Sequence, residues 1–277
     1  MIKIKKGDIV VRKSHGKDII FYVKRIIKNK NKDIAILCGL LERLEADSKI
    51  DDLEKIDKQI LKAKLKEEEE QLNARIAKNK YYSNKKIETR ESSISRKLIT
   101  GKILHLDGDR RYSRKSFNFY KKLGLNAVVK NIPENRQSSQ VYQLLQAYNP
   151  DILVITGHDA MIRKDTNYND VYNYRNSKYF INTVKEARRF DKDYKRNTVI
   201  FAGACQSYFE ALILAGADFA SSPGRILIDF IDPLIVAEKV ATTEYYKYIS
   251  IEDVIRHIKE GKKGIGGIGS NGRMRIL

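Results

Sequence analysis

The chain has 277 residues, 42% of them apolar, and a formal net charge of +19 at pH 7. That length holds one large domain or two smaller ones. No run of 18 apolar residues occurs and the lysine-rich opening, Met1-Ile2-Lys3-Ile4-Lys5-Lys6, has no apolar core, so neither a membrane span nor a secretory signal is expected.

The positive charge is spread over both halves rather than gathered in a tail. It predicts attraction to polyanions at low salt, but no recognisable nucleic-acid motif accompanies it. The two cysteines, Cys38 and Cys205, fall in segments of different character, which favours free thiols in a reducing compartment. No Cys/His cluster has zinc spacing, and no metal or cofactor is expected.

Residues 1–50 read as a small β unit. Short β-rich runs at 9–11, 19–23 and 34–37 are separated by turns rich in Gly, Asn and Asp. The opening Lys-Lys-Gly-Asp-Ile-Val-Val-Arg resembles the start of SH3-like or KOW-type barrels. Residues 51–97 differ. Leu61, Leu65 and Leu72 recur at helical spacing among Lys and Glu, so a solvated helix is expected to about residue 76. Residues 73–97 are basic and polar, and read as a linker carrying Arg75, Arg90 and Arg96.

From Leu98 the pattern alternates between strand and helix, which predicts an open, mostly parallel α/β sheet flanked by helices over 98–277. Strands are expected at 102–106, 127–129, 151–155, 198–201 and, shorter, 218–221. Helices are expected at 113–123, around Val141, Leu144, Leu145 and Tyr148, and at 179–191, 206–214, 232–240 and 251–259. A glycine-rich stretch, 261–272, lies near the end of the chain.

Two strand ends carry candidate chemistry. The third strand runs into Thr156-Gly157-His158-Asp159, and the fourth into Ala202-Gly203-Ala204-Cys205-Gln206-Ser207. Open α/β sheets place their reacting groups at such ends. Adjacent parallel strands lie about 4.8 Å apart, so residues just past two neighbouring ends can share one centre. A thiol with a histidine acid/base is the minimum for acyl transfer. A helix starting behind Cys205 would lower its pKa, and the amides of Gly157 and Cys205 are candidate oxyanion donors. His15, His105 and His257 lack this placement. Ala211 stands where a cysteine phosphatase needs arginine, and no C-x-x-C is present.

The order His158 then Cys205, each after an apolar run, resembles the caspase–clostripain–gingipain–legumain clan of cysteine peptidases. Asp159 stands where that clan typically has glycine after the histidine. With the barrel-like start, His-Leu-Asp-Gly-Asp (105–109), Gly-Ala-Cys-Gln-Ser (203–207) and Ala-Ser-Ser-Pro-Gly-Arg (220–225), the chain resembles the YabG family of sporulation peptidases. The resemblance implies a caspase-like domain, a Cys205–His158 dyad and cleavage after arginine. It also implies spore coat or cortex-associated protein substrates and action in the mother-cell cytoplasm, at or near the coat. A buried carboxylate suits an arginine substrate, and Asp107, Asp109, Asp229 and Asp232 are the candidates. Self-cleavage at Arg75, Arg90 or Arg96 is a corollary. The alternative is a non-catalytic scaffold that binds nucleic acid or coat protein through the basic barrel, with Cys205 buried and unreactive.

Overall fold

The computed structural model describes residues 4–28, 33–91, 98–162 and 167–276. Five strands come first: β1 (Ile9–Arg12), β2 (Phe21–Ile27), β3 (Ile34–Gly39), β4 (Glu45–Lys49) and β5 (Leu53–Lys55). They pair antiparallel in the order β4-β3-β2-β1-β5. The period of two shows in β2, where Phe21 and Val23 are buried and Tyr22 and Lys24 are half-buried. Val10, Phe21, Val23, Ala35 and Leu37 make the core of this unit. It reaches one strand beyond residue 50.

Helix α1 (Lys58–Glu91) follows. It continues through residues read above as linker. The reason is composition: residues 73–91 are rich in Lys, with Arg, Glu and Ala, and neither Gly nor Pro interrupts, so helix propensity persists after the apolar spacing is lost.

The remainder is built as β6 (Leu98–Ile99), β7 (Ile103–Asp107), α2 (Arg110–Lys122), β8 (Ala127–Asn131), α3 (Glu134–Tyr148), β9 (Ile152–Thr156), α4 (Ser177–Tyr194), β10 (Val199–Ala202), α5 (Phe209–Leu214) and β11 (Phe219–Ser221). Then come α6 (Asp232–Thr242), β12 (Tyr248–Ile249), α7 (Ile251–Ile255), α8 (Gly261–Gly264), β13 (Ile265–Gly267), β14 (Ser270–Asn271) and β15 (Arg275–Ile276). Six strands form one sheet in the order β13-β11-β10-β9-β7-β8. All neighbours are parallel except β11 and β13. The glycine-rich stretch supplies β13, which closes the sheet edge beyond β11.

The parallel strands are buried on both faces, so their sequences are continuously apolar rather than alternating. Ile103, Ile152, Val154, Val199 and Phe201 face α2 and α6, meeting Tyr112, Phe119, Tyr120 and Leu234. Leu104, Leu106, Leu153, Ile155, Ile200 and Ala202 face α3, α4 and α5, meeting Val141, Leu145, Phe180, Val184 and Leu212. Helix α1 is tied to α2 by Lys115, whose Nζ lies 2.6 Å from Glu68, and by Lys122, which donates to Asn73 at 2.8 Å. Two helices are shorter than the periodicity predicts: α5 starts at Phe209 rather than 206, and α7 stops at Ile255.

Phe201 sits in the middle of β10 with 1% exposure. Replacing it with alanine is expected to destabilise the chain by about 3–5 kcal/mol, read as a lower urea midpoint with an unchanged slope.

Candidate active site

Strands β7, β9 and β10 are parallel neighbours, so their carboxyl ends open on one rim. Ala202 pairs with Ile155, and Ile155 with Leu106. The Gly203 amide continues the ladder by donating to the Ile155 carbonyl at 3.0 Å. Cys205 and His158 therefore stand at matching offsets past adjacent strands.

His158 is positioned from both sides. Its amide donates to Glu134 Oε1 at 2.9 Å, and its carbonyl accepts from Asn176 Nδ2 at 2.8 Å. Glu134 reaches it only because Gly108 and Gly157 lack side chains. A Cβ there would lie 2.2 and 2.4 Å from Glu134 Oε1. Space for Glu134 is one physical reason for the glycine before His158. The ring Nε2 faces Asp109 Oδ2 at 3.8 Å, and the ring meets Tyr112 edge-on with centroids 5.7 Å apart.

Asp109 caps α2, accepting from the amides of Arg111 and Tyr112 at 2.7 and 3.3 Å. The Tyr22 hydroxyl of β2 also donates to it, at 3.0 Å. Burial alone would raise this carboxyl's pKa, but His158, Arg111 and the hydrogen bonds outweigh it and hold it below the usual range.

The Asp159 carboxylate ties the rim together. Its Oδ1 accepts from the Ala160 and Asn176 amides at 2.9 and 2.8 Å, and its Oδ2 accepts from the Ser177 and Ser207 hydroxyls. Burial still pushes its pKa up to about 6.

Cys205 is fully buried. The Ile228 amide points at Sγ from 3.4 Å, and the thiol faces the Ile228 carbonyl at 3.7 Å. Burial pushes the thiol up to about 12, against the amides of Ile228 and Arg43, which favour thiolate. The pKa lowering expected from a following helix is absent, because α5 begins only at Phe209 and desolvation dominates. Gly203 adopts a φ of +112°, and a Cβ on it would lie 2.8 Å from the Ser221 carbonyl oxygen, so only glycine makes this turn.

The four candidate aspartates separate. Asp107, the last residue of β7, meets a guanidinium: Arg43 Nη1 donates to its Oδ2 at 2.6 Å. Both side chains have zero exposure. The Arg43 guanidinium also lies over the Tyr112 ring, 4.6 Å from its centroid. The Asp109 amide and the Thr156 hydroxyl hold the Asp107 carboxylate at 2.8 and 3.0 Å. Burial works against the Arg43 charge, but Asp107 overcomes it and raises the pKa further. Asp109 faces His158, as described. Asp229 and Asp232 serve the start of α6, accepting from the amides of Ile231 and Asp229 at 3.1 and 3.2 Å. Among the described residues no group of His, Cys, Asp and Glu is placed to hold a metal ion.

Arg43 arrives on the loop 40–44 between β3 and β4, which lies along the strand-end rim. Its carbonyl accepts from the Asp159 amide at 3.3 Å, and the Glu45 amide donates to the Asp159 carbonyl at 3.3 Å. Leu44 and Asp159 thereby form a parallel bridge. Leu44 and the core of the first sheet pack in one cluster with Ala160, Cys205 and Ile228. The amide that faces the Arg43 carbonyl is thus Asp159's. Sequence reasoning missed Arg43, Tyr112, Glu134 and the Asp159 amide. The available signal was a hairpin loop holding Leu40, Leu41 and Leu44, too apolar for a solvated turn. Arg75 and Arg90 lie on the backbone of α1, and Arg96 lies outside the described residues.

A family model, YabG peptidase U57, matches residues 5–277. The sporulation-specific protease YabG of Bacillus subtilis (strain 168) is 39% identical over 282 residues, covering 98% of this chain and 96% of that protein. No solved structure matches the chain.

The Asp159 pKa, raised to about 6 in the folded state, sets a sign. The neutral carboxyl is favoured by folding, so its contribution to stability is full below about pH 4 and is lost as pH rises through 6. In Asp159→Asn the amide can accept from the two backbone N–H groups and donate to the two serine oxygens. Relative to this variant, the wild type is expected to lose about 2 kcal/mol between pH 4 and pH 7, measured by urea unfolding across that range.

Proposed function

This chain belongs to the YabG peptidase U57 family, and we propose that it is a sporulation-specific cysteine endopeptidase that cuts after arginine. The carrying observation is the buried Arg43 guanidinium on Asp107 and Tyr112, on the rim that holds Cys205 and His158. An Asp carboxylate with an aromatic face is a binding site for a substrate guanidinium. Tyr112 meets the His158 ring edge-on, so the pocket adjoins the reacting groups.

In this reading His158 takes the Cys205 proton, and the thiolate attacks the carbonyl carbon on the carboxyl side of the bound arginine. The Asp159 amide, which faces a carbonyl already, stabilises the developing oxyanion together with the Cys205 amide. The C–N bond breaks, and His158 delivers its proton to the departing amine. Water, deprotonated by His158, then hydrolyses the thioester and frees the thiol. Asp109, 3.8 Å from His158 Nε2, orients the ring and stabilises the imidazolium in the way an aspartate supports a catalytic histidine. Asp107 and Tyr112 form the specificity pocket.

The substrates in this reading are spore coat or cortex-associated proteins in the mother-cell cytoplasm; the sporulation setting alone is in the name of the B. subtilis relative. The chain is its own substrate as well. Arg75 and Arg90 lie on α1, and Arg96 follows in the same basic stretch of sequence. A second reading, a non-catalytic scaffold built on the basic first sheet, is favoured by the buried, protonated Cys205. Membership of a peptidase family weighs against it.

Cys205→Ala and His158→Ala are each expected to lower cleavage of an arginine-containing peptide by about 10³-fold or more. In Asp107→Asn the ratio of kcat/KM for an arginine substrate to that for a glutamine substrate is expected to fall by about 10²–10³-fold. Equal fragment patterns from wild type and Cys205→Ala, sequenced at their new termini, would assign any cutting at Arg75, Arg90 or Arg96 to another protease.

A further inference from the structure

Beyond the reaction itself, the first sheet does something at the rim that a substrate would do. A substrate must present an arginine to Asp107, a carbonyl to the oxyanion amide and an extended backbone to the loop after β9. The loop 40–44 presents all three. Arg43 Nη1 reaches Asp107 Oδ2, the Arg43 carbonyl accepts from the Asp159 amide, and Leu44 forms an isolated parallel bridge with Asp159. The loop is shaped for this insertion. Gly39 closes it by donating to the Leu44 carbonyl at 2.8 Å, and a Cβ at Gly39 would lie 2.2 Å from the Glu42 carbonyl oxygen.

We infer that the loop 40–44 is a tethered substrate mimic that fills the arginine pocket of its own chain and holds the site closed until the first sheet is displaced. This rests on Cys205 and His158 being the reacting groups of an arginine-directed peptidase.

Three observations support it. First, the site is sealed: Cys205 and Arg43 have no exposure and His158 has 2%. Second, the sealing disables the nucleophile. A thiol held at about 12 by burial is almost entirely protonated at neutral pH, and the thiol form is not the nucleophile. The mimic therefore sits beside a quenched thiol, which explains how a bond placed like a substrate's stays intact. Third, the fit is good enough to hold yet incomplete. Arg43 Nε and Nη2 make no hydrogen bond to the described residues, so Asp107 receives one of the two bonds a bidentate pair would give.

The loop does not hold alone. The Tyr22 hydroxyl donates to Asp109, the Arg111 guanidinium lies over Tyr22 at 4.2 Å, and Arg175 of the α/β part pairs with Asp47 of β4. Tethering gives such a loop a high effective concentration, so a free arginine substrate competes poorly until these contacts release.

The test reads thiol access and activity separately. In the full chain, Cys205 alkylation by iodoacetamide is followed at pH 9 on the intact species by mass spectrometry, with Cys38 as the internal buried control. Two variants are compared with wild type: Arg43→Ala, and a chain in which residues 40–43 are replaced by Asn-Gly, a two-residue hairpin turn that keeps β3 and β4 paired. Circular dichroism establishes that each is folded; if Arg43→Ala does not fold, the Asn-Gly chain decides. Alkylation of Cys205 is expected to be at least about 10-fold faster in the variants, and the initial rate on an arginyl amide reporter to rise by a similar factor. Unchanged Cys205 alkylation in the folded variants overturns the inference. Faster alkylation with no arginyl amide cleavage leaves the loop as the seal of Cys205 and refutes the arginine-directed peptidase instead.

Discussion

The arrangement depends on one buried ion pair, Arg43 on Asp107. Neither group has any contact with solvent, and each is held by a different part of the chain. A buried charge without a partner is strongly unfavourable, so neither side chain can occupy its place without the other or a substitute. Contacts of the loop 40–44 with the rim accompany this pair. The loop enters the rim, Leu44 meets Asp159, and Cys205 lies out of solvent. The same pair gives Asp107, among four candidate aspartates, the clearest claim to recognise arginine.

The rim itself is tied together by its own hydrogen bonds. The Asp159 carboxylate collects two amides and two hydroxyls from the loops after β9 and β10 and from the start of α4. Glu134 fixes the His158 backbone through the gap left by two glycines. Asp159 therefore has two separate duties. Its side chain is structural, and its amide faces a carbonyl. The backbone group does the facing, and the side chain turns away into its own hydrogen bonds.

Much of the α/β part was legible because buried parallel strands are written as apolar runs ending in turn residues. The segments around Ile103, Ile152, Val199 and Phe219 were all visible that way. The placement of His158 and Cys205 at the same offset past neighbouring strands was visible as well. The long α1 was legible only in part, because after Ile76 its helical tendency rests on propensity rather than on an apolar face. The thiol's environment was not legible at all. A helix N-terminus was expected to lower its pKa, but the group that decides it is the first sheet, distant in sequence and folded over the thiol. Arg43 was invisible for the same reason: a single arginine in a short loop carries no period, and its meaning comes from what it touches.

The central claim is that the Asp107–Tyr112 pocket is built for a substrate's arginine and is filled by Arg43 in its absence. A crystal structure of Cys205→Ala bound to an arginine-containing peptide tests this most directly. The account predicts the peptide's guanidinium on Asp107 and over Tyr112, its arginyl carbonyl facing the Asp159 amide, and Arg43 moved out of the rim. A peptide bound elsewhere with Arg43 still on Asp107 would contradict it.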